Sequence, residues 1–209
     1  MNHAVLLGDS IFDNAAYVPG KPSVIEQLRK TLPGDWKATL LAVDGDVTAD
    51  VQKQIERLPD DATHLIVSSG GNDALGHSSI LDQSAGSVKE VLEYFTSVRT
   101  SFQQTYRKMI QTLKGLNKNL AVCTVYDCVP GYEGGPMTAL AMFNEVILRE
   151  AFNAKIPVID LRLICSEFSD YSEISPIEPS AAGGEKIVQA IVRLLANHKF
   201  ESKKSIIYT

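Results

Sequence analysis

The 209-residue chain is poor in cysteine and histidine and has no long hydrophobic run. Its three cysteines, Cys123, Cys128 and Cys165, cannot all pair, and they form neither a CxxC motif nor a Cys/His cluster. That excludes structural zinc and fits free thiols in a reducing compartment. No apolar stretch approaches the ~20 residues needed to cross a membrane. The N-terminus, MNHAVLLGDS, has too short an apolar run and no basic start for a secretory signal, so a cytoplasmic protein is expected. No basic run interleaves with aromatics, and 20 Lys and Arg against 25 Asp and Glu leave a formal charge of −5, which argues against nucleic acid as a partner. What is present is ample core-forming material. Hydrophobic residues make up 44% and charged residues 22%, a balance that excludes a disordered chain.

Short apolar runs alternate with helical periods from end to end. Runs at 4–8, 36–43, 63–69, 120–125 and 156–160 read as strands. Pro22 opens a helix that Pro33-Gly34 closes, Thr48 caps a second running to 58, and further helices are expected over 137–152 and 183–197. From Val88 to Leu113 apolar residues recur at three- and four-residue steps, which predicts one long amphipathic helix. Five strands separated by helices predict a five-stranded parallel sheet covered on both faces, a three-layer α/β/α sandwich. No repeat, linker or composition break divides it, so residues 1–200 are expected to form one domain, with 201–209 as a loosely held tail. Ligands of such sheets bind outside the carboxyl ends of the strands. The loops at that edge are 9–21, 44–47, 70–79, 127–136 and 161–182, and the fourth, with Tyr132 and Glu133, is expected to shape a pocket.

Three of these loops carry groups suited to acyl transfer. Gly8-Asp9-Ser10-Ile11 puts a serine at the turn out of the first strand; Val43-Asp44-Gly45-Asp46 follows the second, and Gly70-Gly71-Asn72-Asp73 the third. A serine hydroxyl attacks a carbonyl, and the N–H groups of Ser10 and Gly45 with the Asn72 amide are the expected oxyanion donors. Asp9 and Asp73 are read as supports that orient these loops by accepting backbone N–H bonds. Asp44-Gly45-Asp46-Val47-Thr48 also resembles the DxDxT motif of haloacid-dehalogenase-type phosphatases, whose first aspartate is a magnesium-assisted nucleophile. That motif follows the first strand of its family, whereas here it follows the second.

The blocks LLGDSIFDN, SSGGNDAL and SPIEPSAAGGEKI, with Gly45 between the first two, resemble the GDSL or SGNH hydrolases in order and spacing over almost the whole chain. The resemblance implies a flavodoxin-like sandwich and an esterase, lipase or acylhydrolase acting on a small ester or thioester through Ser10. It implies no metal or cofactor. Where the family usually has Asp-x-x-His-Pro-Ser, this chain has Ser175 at the aspartate and Glu178 at the histidine, and Ile11 replaces the leucine of GDSL. Glu178 is therefore the expected base, with Ser175 expected to donate a hydrogen bond to it. His3, His64 and His198 fall at the wrong end of the sheet, which leaves His77 as the alternative base. Two readings follow: a hydrolase with an atypical base, or a protein that keeps the pocket and binds a ligand without turnover.

Overall fold

A computed structural model describes residues 1–209. Its sheet has six parallel strands in the order β2–β1–β3–β4–β5–β6: β1 Asn2–Gly8, β2 Trp36–Leu40, β3 His64–Ser68, β4 Asn119–Cys123, β5 Val158–Ile159 and β6 Ile207–Tyr208. The expected five strands are thus six. The sixth comes from the tail, whose Ile206 and Tyr208 carbonyls accept the N–H groups of Val158 and Asp160, each at 2.9 Å. The pairing satisfies backbone groups that the short β5 would otherwise leave open at the sheet edge.

Seven helices connect and cover the strands: α1 Val24–Thr31, α2 Val51–Gln54, α3 Gly71–Leu75, α4 Val88–Gly115, α5 Gly135–Ala154, α6 Leu161–Ile164 and α7 Ala181–Asn197. Local chemistry sets their starts. The Ser23 N–H donates to the Glu26 carboxylate at 2.8 Å, so α1 begins at Val24, two residues after Pro22. Ser87 and Ser180 cap α4 and α7 by accepting N–H groups three residues on. The expected single helix over 48–58 is instead α2 between two 3₁₀ turns. There the Gln54 side chain is drawn inward to bond both the N–H and the carbonyl of Gly8, at 2.8 and 2.7 Å.

Alternate strand residues feed two cores. Val5 and Leu7 pack with Phe102, Tyr106 and Ile147 of α4 and α5, while Leu6 and Ile66 pack with Leu28 and Ile187 of α1 and α7. Each fully buried side chain of this kind is worth about 1.5–3 kcal/mol. One contact places the functional edge. Gly8 has φ 118°, and a Cβ there would lie 1.6 Å from the Ser68 carbonyl oxygen. Only glycine permits that approach, and it sets the turn after β1 directly against the end of β3.

Candidate active site

The chain leaves β1 through a turn built on Asp9. The Asp9 carbonyl accepts the N–H groups of Phe12 and Asp13 at 3.1 and 3.2 Å, and its Oδ1 accepts that of Ile11 at 3.2 Å. The Ser10 N–H, by contrast, donates to no protein group. Ser10 itself is buried and lines a cavity of about 140 Å³.

After β3, Gly70 turns with φ 119° and α3 begins, carrying Asn72 to the same cavity. The Asn72 Nδ2 donates one hydrogen bond, to the Asp46 carbonyl at 2.9 Å. Next to it, Asp73 Oδ2 accepts both the N–H and the hydroxyl of Thr48 at 2.9 Å. These bonds clamp the loop after β2 to the loop after β3. Gly45 stands apart from the other expected oxyanion donors: it is exposed, with φ 83°, and does not line the cavity. Its loop is pulled outward, where the Asp44 carboxylate accepts the Tyr17 hydroxyl at 2.7 Å and the Asp44 N–H donates to Asp13 at 3.1 Å.

Glu178 reaches the cavity from the segment before α7. Its N–H donates to the Ser175 carbonyl at 3.1 Å, and its carbonyl accepts the Ser172 N–H at 2.8 Å. Ser175 therefore acts through its backbone, and the expected bond from its hydroxyl to the Glu178 carboxylate is not formed. Glu178 Oε2 is fully buried and has no hydrogen-bond partner. Burial pushes the carboxyl up to about 7, with the Ser10 hydroxyl facing it and opposing the rise, and the Asp44 charge adding to it. The α7 N-terminus would be expected to lower this value; desolvation outweighs it. Asp9 is also buried, and burial raises its carboxyl to about 8 against the pull of the Ile11 N–H.

His77 lines the cavity at its exposed rim, where its Nδ1 pairs with the Tyr94 hydroxyl at 3.1 Å. The other histidines are at the far end of the sheet. His3 bonds Asp61 and Thr39, each at 2.8 Å, and His64 lies between the rings of Trp36 and Phe200, where burial lowers it to about 4.

Sixteen of the 24 residues that line the cavity are hydrophobic, and none is lysine or arginine. Tyr132 and Pro136 belong to it as the loop after β4 suggests, whereas Glu133 turns back to accept the Gly131 N–H at 3.3 Å. The apolar wall formed by Tyr126, Val129, Phe143 and Phe95 has no sequence signature, because these residues read as ordinary core positions.

A family profile described as the GDSL-like lipase/acylhydrolase family matches residues 6–186. No curated protein sequence matches the chain. Among solved structures, a lipase from a goat rumen metagenome superposes with a TM-score of 0.74 at 16% identity, over 96% of this chain and 100% of the other. A member of the lipolytic G-D-S-L family from Veillonella parvula has a TM-score of 0.70 at 16% identity, over 95% and 100%. A lipase/acylhydrolase from Enterococcus faecalis has a TM-score of 0.69 at 19% identity, over 93% and 95%. At these identities the likeness is one of fold.

Proposed function

Because the chain belongs to the GDSL-like lipase/acylhydrolase family, we propose that it hydrolyses a small ester or thioester through a Ser10 acyl-enzyme, with Glu178 as general base. The observation that carries this reading is the buried Glu178 carboxyl opposite the Ser10 hydroxyl, raised to about 7. An ordinary glutamate, near ~4.3, would be a poorer proton acceptor than a histidine near ~6.5 by about 3 kcal/mol. Burial closes that gap.

In the proposed sequence Glu178 takes the hydroxyl proton as Ser10 Oγ bonds to the carbonyl carbon. The carbonyl π pair moves to oxygen, where the Ser10 N–H and the second N–H of the Asn72 amide receive it. Collapse expels the alcohol or thiol, which leaves with the proton from Glu178. Water then attacks the acyl carbon, giving its proton to Glu178, and the returning proton frees Ser10 and the acid. The largely apolar lining favours an apolar acyl or alcohol group over a charged one.

The deciding experiment is labelling with a fluorophosphonate. Intact mass should show one adduct on wild type and none on Ser10→Ala; a folded wild type that takes no adduct returns the chain to ligand binding without turnover. Asn72→Ala should lower kcat by roughly 10²–10³-fold with the fold intact. A loss below about tenfold would leave Asn72 with only its bond to Asp46. His77→Ala should change kcat little, since His77 is held at the rim by Tyr94.

A further inference from the structure

Asp9 and Glu178 are 3% and 4% exposed, and both line the cavity that contains Ser10. That cavity holds no lysine or arginine, and Glu178 Oε2 has no partner. Two carboxyls this deeply buried do not readily both ionise at neutral pH without a cation beside them, because each loses much of its hydration and they repel one another. We propose that Asp9 and Glu178 are a one-proton pair, two buried carboxyls that hold a single proton between them when Glu178 is to act as base, so that Asp9 is a positioning residue that acts through Glu178. This rests on the reading of Ser10 and Glu178 given above.

The surroundings of both carboxyls bear on their titration. The Ser10 hydroxyl favours a charge on Glu178, and Asp44, from the loop after β2, opposes it. Asp9 is met by the Ile11 N–H and, at the end of β3, the Ser68 hydroxyl, both favouring its charge; Glu178 and, from α3, Asp73 oppose it, and burial outweighs all of them. Other titratable groups around the pair are Cys123 of β4, Tyr126 beyond it and Tyr106 of α4, all kept neutral by burial, Tyr17, raised by its bond to Asp44, and His77 at the exposed rim of the cavity. The pair then titrates as a unit, in two steps near 7 and near 8. Below the first value the base is protonated. Above the second both carboxyls are charged, and the second negative charge on the cavity in which the oxyanion develops opposes the reaction.

Carboxyl ¹³C NMR reads these titrations without requiring turnover. Wild type should show two carboxyls titrating near 7 and near 8. Glu178→Gln should move the Asp9 titration down by about one pH unit or more, because the like charge is gone. Asp9→Asn, whose amide oxygen can still accept the Ile11 N–H, should leave one titration near 7. In kcat/KM, wild type should give a bell, and Asp9→Asn should keep the rise and lose the alkaline fall. Both carboxyls titrating below about 5, an Asp9 titration unmoved by Glu178→Gln, or an alkaline fall that survives Asp9→Asn would overturn the proposal. If Asp9→Asn does not fold, wild type and Glu178→Gln still decide it. Titrations as expected in a protein that cleaves no ester would leave the pair standing and remove the catalytic reading.

Discussion

Ser10→Ala should lower kcat/KM for a short-chain aryl ester by about 10⁴-fold or more, while thermal unfolding stays close to that of wild type. The reason lies in how little else Ser10 does. Its hydroxyl faces the Glu178 carboxyl and does not hold the turn, so alanine removes the nucleophile and leaves the turn's support in place. The turn is held by Asp9, and the Ser10 N–H survives the substitution as an oxyanion donor. What remains is attack by water on a bound ester, helped only by the oxyanion donors. Other hydroxyls line the cavity, on Ser78, Tyr126 and Tyr132, but the Tyr126 hydroxyl is already committed to the Ile177 carbonyl at 2.6 Å. Retention of more than about a tenth of the activity would move the nucleophile away from Ser10.

Glu178→Gln should act in opposite directions on activity and stability. Loss of the general base should cost about 10²–10⁴-fold in kcat. The stability effect follows from the raised carboxyl, at 4.5 ordinarily and about 7 here. Between these values the folded protein binds a proton that the unfolded chain has released, so wild-type stability falls as pH rises through this window. Glutamine has no such term. The stability of the variant relative to wild type should therefore increase between about pH 5 and about pH 8 by about 2–3 kcal/mol from the missing Glu178 term, and by about 1 kcal/mol more from the downward shift of Asp9 in the variant. The cost of burying the amide is the same at both pH values and drops out of that difference. Urea unfolding at the two values measures it; a relative stability that stays flat or falls would mean Glu178 is not a buried, destabilised carboxylate. A base kept neutral-prone by its site, at the expense of the fold, is the trade expected where stability is given up for activity.

The sequence by itself determined the alternation of strands and helices, because buried parallel strands need unbroken apolar runs and covering helices need a 3.6-residue stripe. The α4 stripe from Val98 to Leu113 is of this kind, as is the run at Ala4–Leu7. It also determined that Ser10 and Asn72 meet, since both follow parallel strands that are neighbours in the sheet and so leave from one edge. Tertiary structure alone decided the rest. The two-residue β6 has no period to read and exists only because β5 offers it an edge. Gly45 has the expected turn conformation, yet bonds from Tyr17 and to Asp13 hold the neighbouring Asp44 outside the cavity. The motif marks Glu178 as the expected base, but its basicity depends on how completely residues from distant parts of the chain exclude water from it. Desolvation and like-charge repulsion are properties of a place in space, and the residues that create that place for Asp9 and Glu178 are brought together only by the fold.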